Sequence, residues 1–291
     1  MVGVSIFGEV LFDCFPSNER ILGGAPFNVA WHLQAFRQQP HFVSRVGTDA
    51  GGETIRRSMQ RWGMDCSHLQ ADDSHPTGEV QITLQDGEPS YDIVDRVAYD
   101  FINAEQLTDL SAGILYHGSL ALRHEPSLQA LQKLKSQRPS VVFMDVNLRD
   151  PWWQRDRLLT WVGEADWVKL NESEFSLLHG EGSDRPTAMT SFLQRHNLQG
   201  LVVTLGERGA VAVTPDQPAY QVAPVKVPDL VDTVGAGDAF SSVLLLGLNQ
   251  GWPVGQTLER AQQFASALVG RRGATVDDPD FYQAMIDAWK L

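Results

Sequence analysis

The chain has 291 residues, of which 43% are hydrophobic and 20% charged, proportions of an ordinary globular protein with room for one large α/β domain or two small ones. A formal net charge of −13 repels nucleic acid and anionic membrane, so neither is an expected partner, and any anionic ligand must be held by local features. Cys14 and Cys66 form no CxxC pair or His/Cys cluster; with no basic leader and no run of about 18 apolar residues, this predicts free thiols in a cytoplasmic, reducing setting.

Residues 2–8 predict a short buried strand ending at Gly8. Asp13 follows just beyond it, where open α/β sheets bind ligands outside the carboxyl ends of their strands, so it is a candidate hydroxyl acceptor as well as a plain turn residue. In Gly23-Gly24-Ala25-Pro26-Phe27-Asn28-Val29-Ala30 a glycine pair leads into a helix. Glycine allows close backbone approach and Asn28 offers both a donor and an acceptor, a combination suited to a polyol. A strand at Phe42–Val46, a Gly/Asp turn and an amphipathic helix to about Trp62 come next, with Arg45 and Asp49 bracing the turn.

Between Thr77 and Tyr99 the texture changes to alternation. Glu79-Val80-Gln81-Ile82-Thr83-Leu84-Gln85, the hairpin signal Asp86-Gly87 and Ser90-Tyr91-Asp92-Ile93-Val94 predict a small antiparallel sheet with one covered and one open face. Tyr91 and Ile93 are expected mainly to pack. Strands at 112–119 and 141–149 flank a helix at 125–136, and such alternation predicts a parallel sheet with helices on both faces and right-handed crossovers. His117 is expected to be a packing or turn histidine.

Asp145, Asn147 and Arg149 stand at alternate positions beyond a buried strand, so in extended conformation they share one face. Arg149 is a local cation able to stabilise charge on a group in transit, or else a rim partner of Asp150 or Asp145. Trp167–Leu170 predict a strand running straight into a helix that Asn171 and Glu174 cap reciprocally; their oxygens also suit a hydrated Mg²⁺. Leu201–Leu205 and Val211–Val213 predict strands joined by a glycine turn.

The most informative stretch is Asp232-Thr233-Val234-Gly235-Ala236-Gly237-Asp238, running into the apolar 239–248. A small-residue turn entering a buried helix leaves N–H groups free beside the positive end of the helix dipole, which makes an anion cradle. Asp238 in the first turn is unhelpful for simple anion binding but useful where a proton must be removed, so the pair suggests group transfer. A helix follows at about 253–270, then the turn Arg271–Thr275.

The Asp-Thr-x-Gly-Ala-Gly-Asp stretch resembles the C-terminal signature of the ribokinase-like, PfkB-type carbohydrate kinases, and the Gly-Gly-Ala-Pro-Phe-Asn stretch is most similar to fructokinases. The resemblance covers essentially the whole chain. It implies an α/β fold with a central, mostly parallel sheet flanked by helices on both faces, a single domain over 1–291 and a β lid built from about 9–22 and 77–99. It implies an ATP-dependent kinase of a primary hydroxyl, with fructose the first expectation; another ketose, 2-keto-3-deoxygluconate, a nucleoside, or a sugar-binding protein without catalysis remain open. Carried over residue by residue, Asp238 is the base, Gly235, Ala236 and Gly237 form the anion hole, and Arg149 steadies the phosphoryl group. Asp13, Gly24 and Asn28 touch the sugar, and Thr204, Gly206, Gly209 and Asn171 line the nucleotide side. Glu174 and Asn171 serve Mg²⁺ through water, and Asp232 serves a possible K⁺, although Asp277 stands where cation-activated relatives place a small hydroxyl residue. Tyr91 or Ile93 could reach the sugar from the lid, and the open lid face could pair two subunits into a homodimer.

Overall fold

The computed structural model describes residues 3–85, 88–110, 113–180, 184–225 and 230–291. Its strands are β1 (Val4–Phe7), β2 (Leu11–Cys14), β3 (Arg20–Gly23), β4 (His41–Gly47), β5 (Leu69–Asp72), β6 (Gly78–Gln85), β7 (Glu88–Ile93), β8 (Ile114–His117), β9 (Val141–Asp145), β10 (Trp167–Asn171), β11 (Gly200–Thr204), β12 (Ala210–Thr214) and β13 (Gln217–Val222). The helices are α1 (Ala25–Ala35), α2 (Ala50–Arg61), α3 (Glu125–Ser136), α4 (Arg155–Val162), α5 (Glu172–His179), α6 (Arg185–Arg195), α7 (Ala236–Gln250), α8 (Val254–Leu268) and α9 (Pro279–Trp289).

A nine-stranded sheet runs β13-β12-β11-β10-β9-β8-β1-β4-β5. From β11 through β5 all neighbours pair in parallel, while β12 and β13 return antiparallel at one edge. Parallel strands covered on both faces must be apolar on both faces, and side chains alternate sides with period two. Val4 and Ile6 of β1, Ile114 and Tyr116 of β8, Phe143 of β9 and Trp167 of β10 therefore join one core with α1, α7, α8 and α9. Phe7, Leu115, Val142, Met144, Val168 and Leu170 join the other, with α3, α4, α5 and α6. The same alternation puts Asp145 and Lys169, register partners on β9 and β10, on the α7 side.

A second sheet, β3-β2-β6-β7, is antiparallel at both outer pairs and parallel where β2 meets β6. The hairpin signal Asp86-Gly87 lies outside the described residues. Ile93 is buried, whereas Tyr91 is 61% exposed and does not pack.

The expectation of an extended strand to Arg149 does not hold. Strand β9 stops at Asp145, the Val146 N–H donates to the Lys169 carbonyl, and Asn147 takes a left-handed φ of 41°. Asp145, Asn147 and Arg149 consequently do not share one extended face. Strands β5 and β13 and helices α4, α6 and α9 are additional to the predicted elements. Among the described residues, no helix is long and apolar enough to cross a membrane.

Candidate active site

Two helices, α1 and α7, begin at the end of the sheet where β1, β8, β9 and β10 finish, and glycine chemistry sets both starts. Gly24 caps α1 at φ 109°, and a Cβ there would lie 2.8 Å from the Glu9 carbonyl oxygen. Gly235 caps α7 at φ 78°, with Ala274 Cα 2.5 Å from where a Cβ would stand. Neither position accepts a side chain. The α7 cap supplies no side-chain acceptor, and among the described residues the N–H groups of Gly235, Gly237 and Asp238 have none either. Ala236, expected to share in the anion hole, instead turns its N–H toward the Thr233 carbonyl at 3.3 Å. The free amides beside the helix dipole are a cradle for an anion.

Asp238 sits in that first turn with a window to the cleft but most of its carboxylate desolvated. Burial raises its pKa to about 6, opposed by the Asn28 hydrogen bond and by the charges of Lys169 and Arg149, and reinforced by Asp145. The Asn28 amide, buried on α1, donates to Asp238 Oδ2 at 2.7 Å. Its own Oδ1 is buried and has no partner among the described residues. An acceptor and a carboxylate thus face the same space with capacity to spare.

Lys169 was missed by the sequence reading. It is 6% exposed, yet its ammonium lies 2.8 Å from Asp145 Oδ2 and 3.2 Å from the Gly237 carbonyl. Ser241 on α7 donates to the same Asp145 oxygen at 2.6 Å. Asp145 is therefore the buried counter-charge that ties β9, β10 and the start of α7 together, rather than a ligand-facing group beside Arg149. A lysine between Val168 and Leu170 in an apolar strand, with an Asp ending the preceding strand, was the available signal, because a buried ammonium demands a partner.

Arg149 is exposed, and among the described residues its guanidinium donates only to its own neighbour, the Leu148 carbonyl, at 3.1 Å. The rim pairs that competed for it do not form: Asp150 accepts from Trp153 Nε1, and Asp145 is taken by Lys169. Its charge instead acts on Glu9, Asp13 and Asp238. Asp13, on β2, has a pKa raised by burial and held down by Arg149, so the two lie within electrostatic reach of each other.

The remaining expected residues divide. Asn171 and Glu174 form a complete capping box: Glu174 N–H donates to Asn171 Oδ1 at 2.9 Å, and Asn171 N–H donates to Glu174 Oε2 at 2.8 Å. The second Glu174 oxygen accepts from the Leu148 N–H at 2.8 Å, so this buried carboxylate clamps the loop carrying Arg149. Such a donor set does not fit direct Mg²⁺ ligation, since both oxygens are engaged by backbone. Gly206 opens onto free space, but a Cβ on Gly209 would strike the Val222 carbonyl, so its glycine is required by the approach of β13. Thr204 Oγ1 donates to the Leu170 carbonyl at 3.4 Å. Asp232 accepts from the Val234 and Gly273 N–H groups, each at 3.0 Å, joining the loop before α7 to the 271–275 turn.

Residues 14–280 match the family model described as pfkB family carbohydrate kinase. A fructokinase of Salmonella typhimurium is 33% identical over 262 residues, covering 84% of this chain and 84% of the relative. The crystal structure of a Vibrio cholerae O395 fructokinase double mutant, in fructose, ADP and potassium ion bound form, superposes with a TM-score of 0.81 at 27% identity, covering 97% of this chain and 98% of the other. A fructokinase from Xylella fastidiosa with bound ATP superposes with a TM-score of 0.86 over 99% of each chain; at 22% identity this is a likeness of fold.

Proposed function

We propose, from the premise that this chain belongs to the pfkB family of carbohydrate kinases and is a sugar kinase with ATP as co-substrate, that its acceptor is fructose and its product fructose 6-phosphate. The fructokinase relative at 33% identity and the fructose-bound structural neighbour support that acceptor. The observation that carries the reading is a partly desolvated carboxylate, Asp238, in the first turn of α7, beside unfilled N–H groups and hydrogen-bonded to Asn28.

In this reading Asp13, Gly24 and Asn28 hold the sugar with its primary hydroxyl toward Asp238. The ionised carboxylate takes the hydroxyl proton as the oxygen attacks the γ-phosphorus of ATP. The new O–P bond forms as the bond to the β-phosphate bridging oxygen breaks, and ADP leaves. Negative charge on the transferred group is met by the Gly235, Gly237 and Asp238 N–H groups and by Arg149, since phosphoryl transfer asks mainly for positioning and charge neutralisation. Asn171, Thr204 and Gly206 are assigned to the nucleotide side. When bound with ATP, Mg²⁺ would supply charge neutralisation, and Asn171 and Glu174 would serve it through water, Glu174 also holding the loop that carries Arg149. The potassium-bound neighbour suggests a monovalent cation; with both oxygens accepting from backbone N–H groups, Asp232 would serve it by holding the loop before α7 against the 271–275 turn.

A panel of sugars, sugar acids and nucleosides in a coupled ADP-release assay tests the acceptor. Fructose is expected to give the highest kcat/KM, with phosphate on its primary hydroxyl. A higher value for another acceptor, or sugar binding by calorimetry with no ADP formed, overturns the assignment.

A further inference from the structure

Glu9 is a buried ionisable group that this phosphoryl-transfer scheme leaves unused. It follows Gly8 immediately beyond β1, at the end of the sheet where the cleft lies. Its backbone carbonyl packs against Gly24, back to back with the helix start that carries Asn28. The residue is 3% exposed, yet Oε2 has no hydrogen-bond partner among the described residues.

Three charged side chains lie close enough to act on that carboxyl. Arg149 and Asp238 act on it from the transfer centre, and Arg123 from the lid side. Arg123 is held by Asp100 through two hydrogen bonds, at 2.7 and 2.8 Å, and donates to the Val94 carbonyl just past β7 at 2.6 Å. One of its nitrogens, Nη1, is buried with no hydrogen-bond partner among the described residues, while the guanidinium lies 4.4 Å from the Trp152 ring centroid. Native interiors satisfy nearly all buried polar atoms, so an unfilled buried acceptor and donor on either side of the transfer centre call for a partner that the described residues do not supply. Burial lifts the Glu9 pKa to about 7, so the group can exchange a hydrogen bond with a hydroxyl in either protonation state.

We propose that Glu9 is a specificity-determining residue of the sugar site, its Oε2 hydrogen-bonding a hydroxyl of the acceptor remote from the one that is phosphorylated. The inference rests on the sugar-kinase reading above. It adds a fourth contact from the floor of the cleft to those assigned to Asp13, Gly24 and Asn28, and it selects a polyol that carries a hydroxyl at that place over its deoxy counterpart.

The test uses the full chain with fructose and its 1-, 3- and 4-deoxy analogues, in the wild type and in Glu9→Gln and Glu9→Ala. In the wild type one deoxy analogue should lose on the order of 10-fold or more in kcat/KM, because a buried polar group left unpaired rejects it. Glu9→Ala should raise the KM for fructose by a similar factor, leave the KM for ATP within about 3-fold, and accept that deoxy analogue nearly as well as fructose. Glu9→Gln should narrow the same discrimination. Variants that melt with the wild type and keep its fructose KM and its deoxy discrimination overturn the proposal. Equal acceptance of all deoxy analogues by the wild type also overturns it, without needing any variant to fold. Absence of fructose turnover in the wild type is a different outcome, which contradicts the acceptor assignment itself.

Discussion

The Asn28 amide donates to Asp238 Oδ2 at 2.7 Å, joining residues 210 positions apart in the chain and the first turns of two helices. A hydrogen bond to the ionised form of a carboxyl stabilises that form, and Asn28 is the group that most strongly opposes the burial of Asp238. The residue expected to hold the sugar thus also orients the base.

The pH dependence of kcat/KM should follow from this. The base must be ionised, and its pKa is about 6, so activity should fall as pH drops through that value. Asn28→Ala removes a bond that favours the charged form, and the acid limb should move to higher pH. A limb that stays in place in the variant separates Asn28 from the ionisation of Asp238.

Asp238→Asn should be more stable than the wild type above neutral pH. The pKa of this acid is raised in the fold, from 3.8 to about 6, so the cost of burying its charge is fully present above the folded value. That cost fades as pH falls toward the unfolded one. The difference corresponds to about 2–3 kcal/mol at pH 8 and little at pH 4. Urea titrations at both pH values measure it; equal midpoints at pH 8 count against a desolvated carboxylate.

Lys169→Met should be severely destabilising, by about 3–5 kcal/mol, because it strands Asp145 as a buried charge. Asp145 keeps only the Ser241 hydroxyl at 2.6 Å and the more distant Tyr116 hydroxyl at 3.5 Å. Adding Asp145→Asn should recover much of the loss. A double-mutant cycle by denaturant unfolding with no coupling energy between the two positions contradicts the pairing.

The residues that make the site were unevenly legible in the sequence, for physical reasons. Gly24, Gly235 and Asp238 were readable because a local rule governs each: a helix start needing positive φ, or an acid in a first turn. Strands β1, β8, β10 and β11 were readable because burial on both faces demands unbroken apolar runs. The partnership of Lys169 with Asp145 was not read: a lysine inside an apolar strand signals a buried partner, but which carboxylate answers it is set by the β9–β10 register rather than by a local pattern. Helix α6 follows Gly180-Glu181-Gly182-Ser183-Asp184 and has Pro186 in its first turn, and its apolar positions, Ala188, Met189, Phe192 and Leu193, make only a short stripe. The turn at Asn147 overrode a period-two pattern, because the clamp from Glu174 to the Leu148 N–H favours a compact loop over an extended strand.

Arg149→Ala should reduce kcat by about 100- to 1000-fold with little change in melting temperature. Its side chain is exposed and makes no ion pair among the described residues. Steady-state kinetics beside a thermal melt separate the two effects. A large loss of stability with kcat intact would make Arg149 a structural residue.

The most direct measurement is the turnover of Asp238→Asn at pH 8 with fructose and Mg-ATP, alongside calorimetric titration of each ligand. An amide at this position keeps the shape and the Asn28 contact but cannot take a proton, so ADP formation should fall by about 1000-fold or more while fructose and nucleotide still bind. A variant that binds both ligands and turns over within about 10-fold of the wild type contradicts Asp238 as the base.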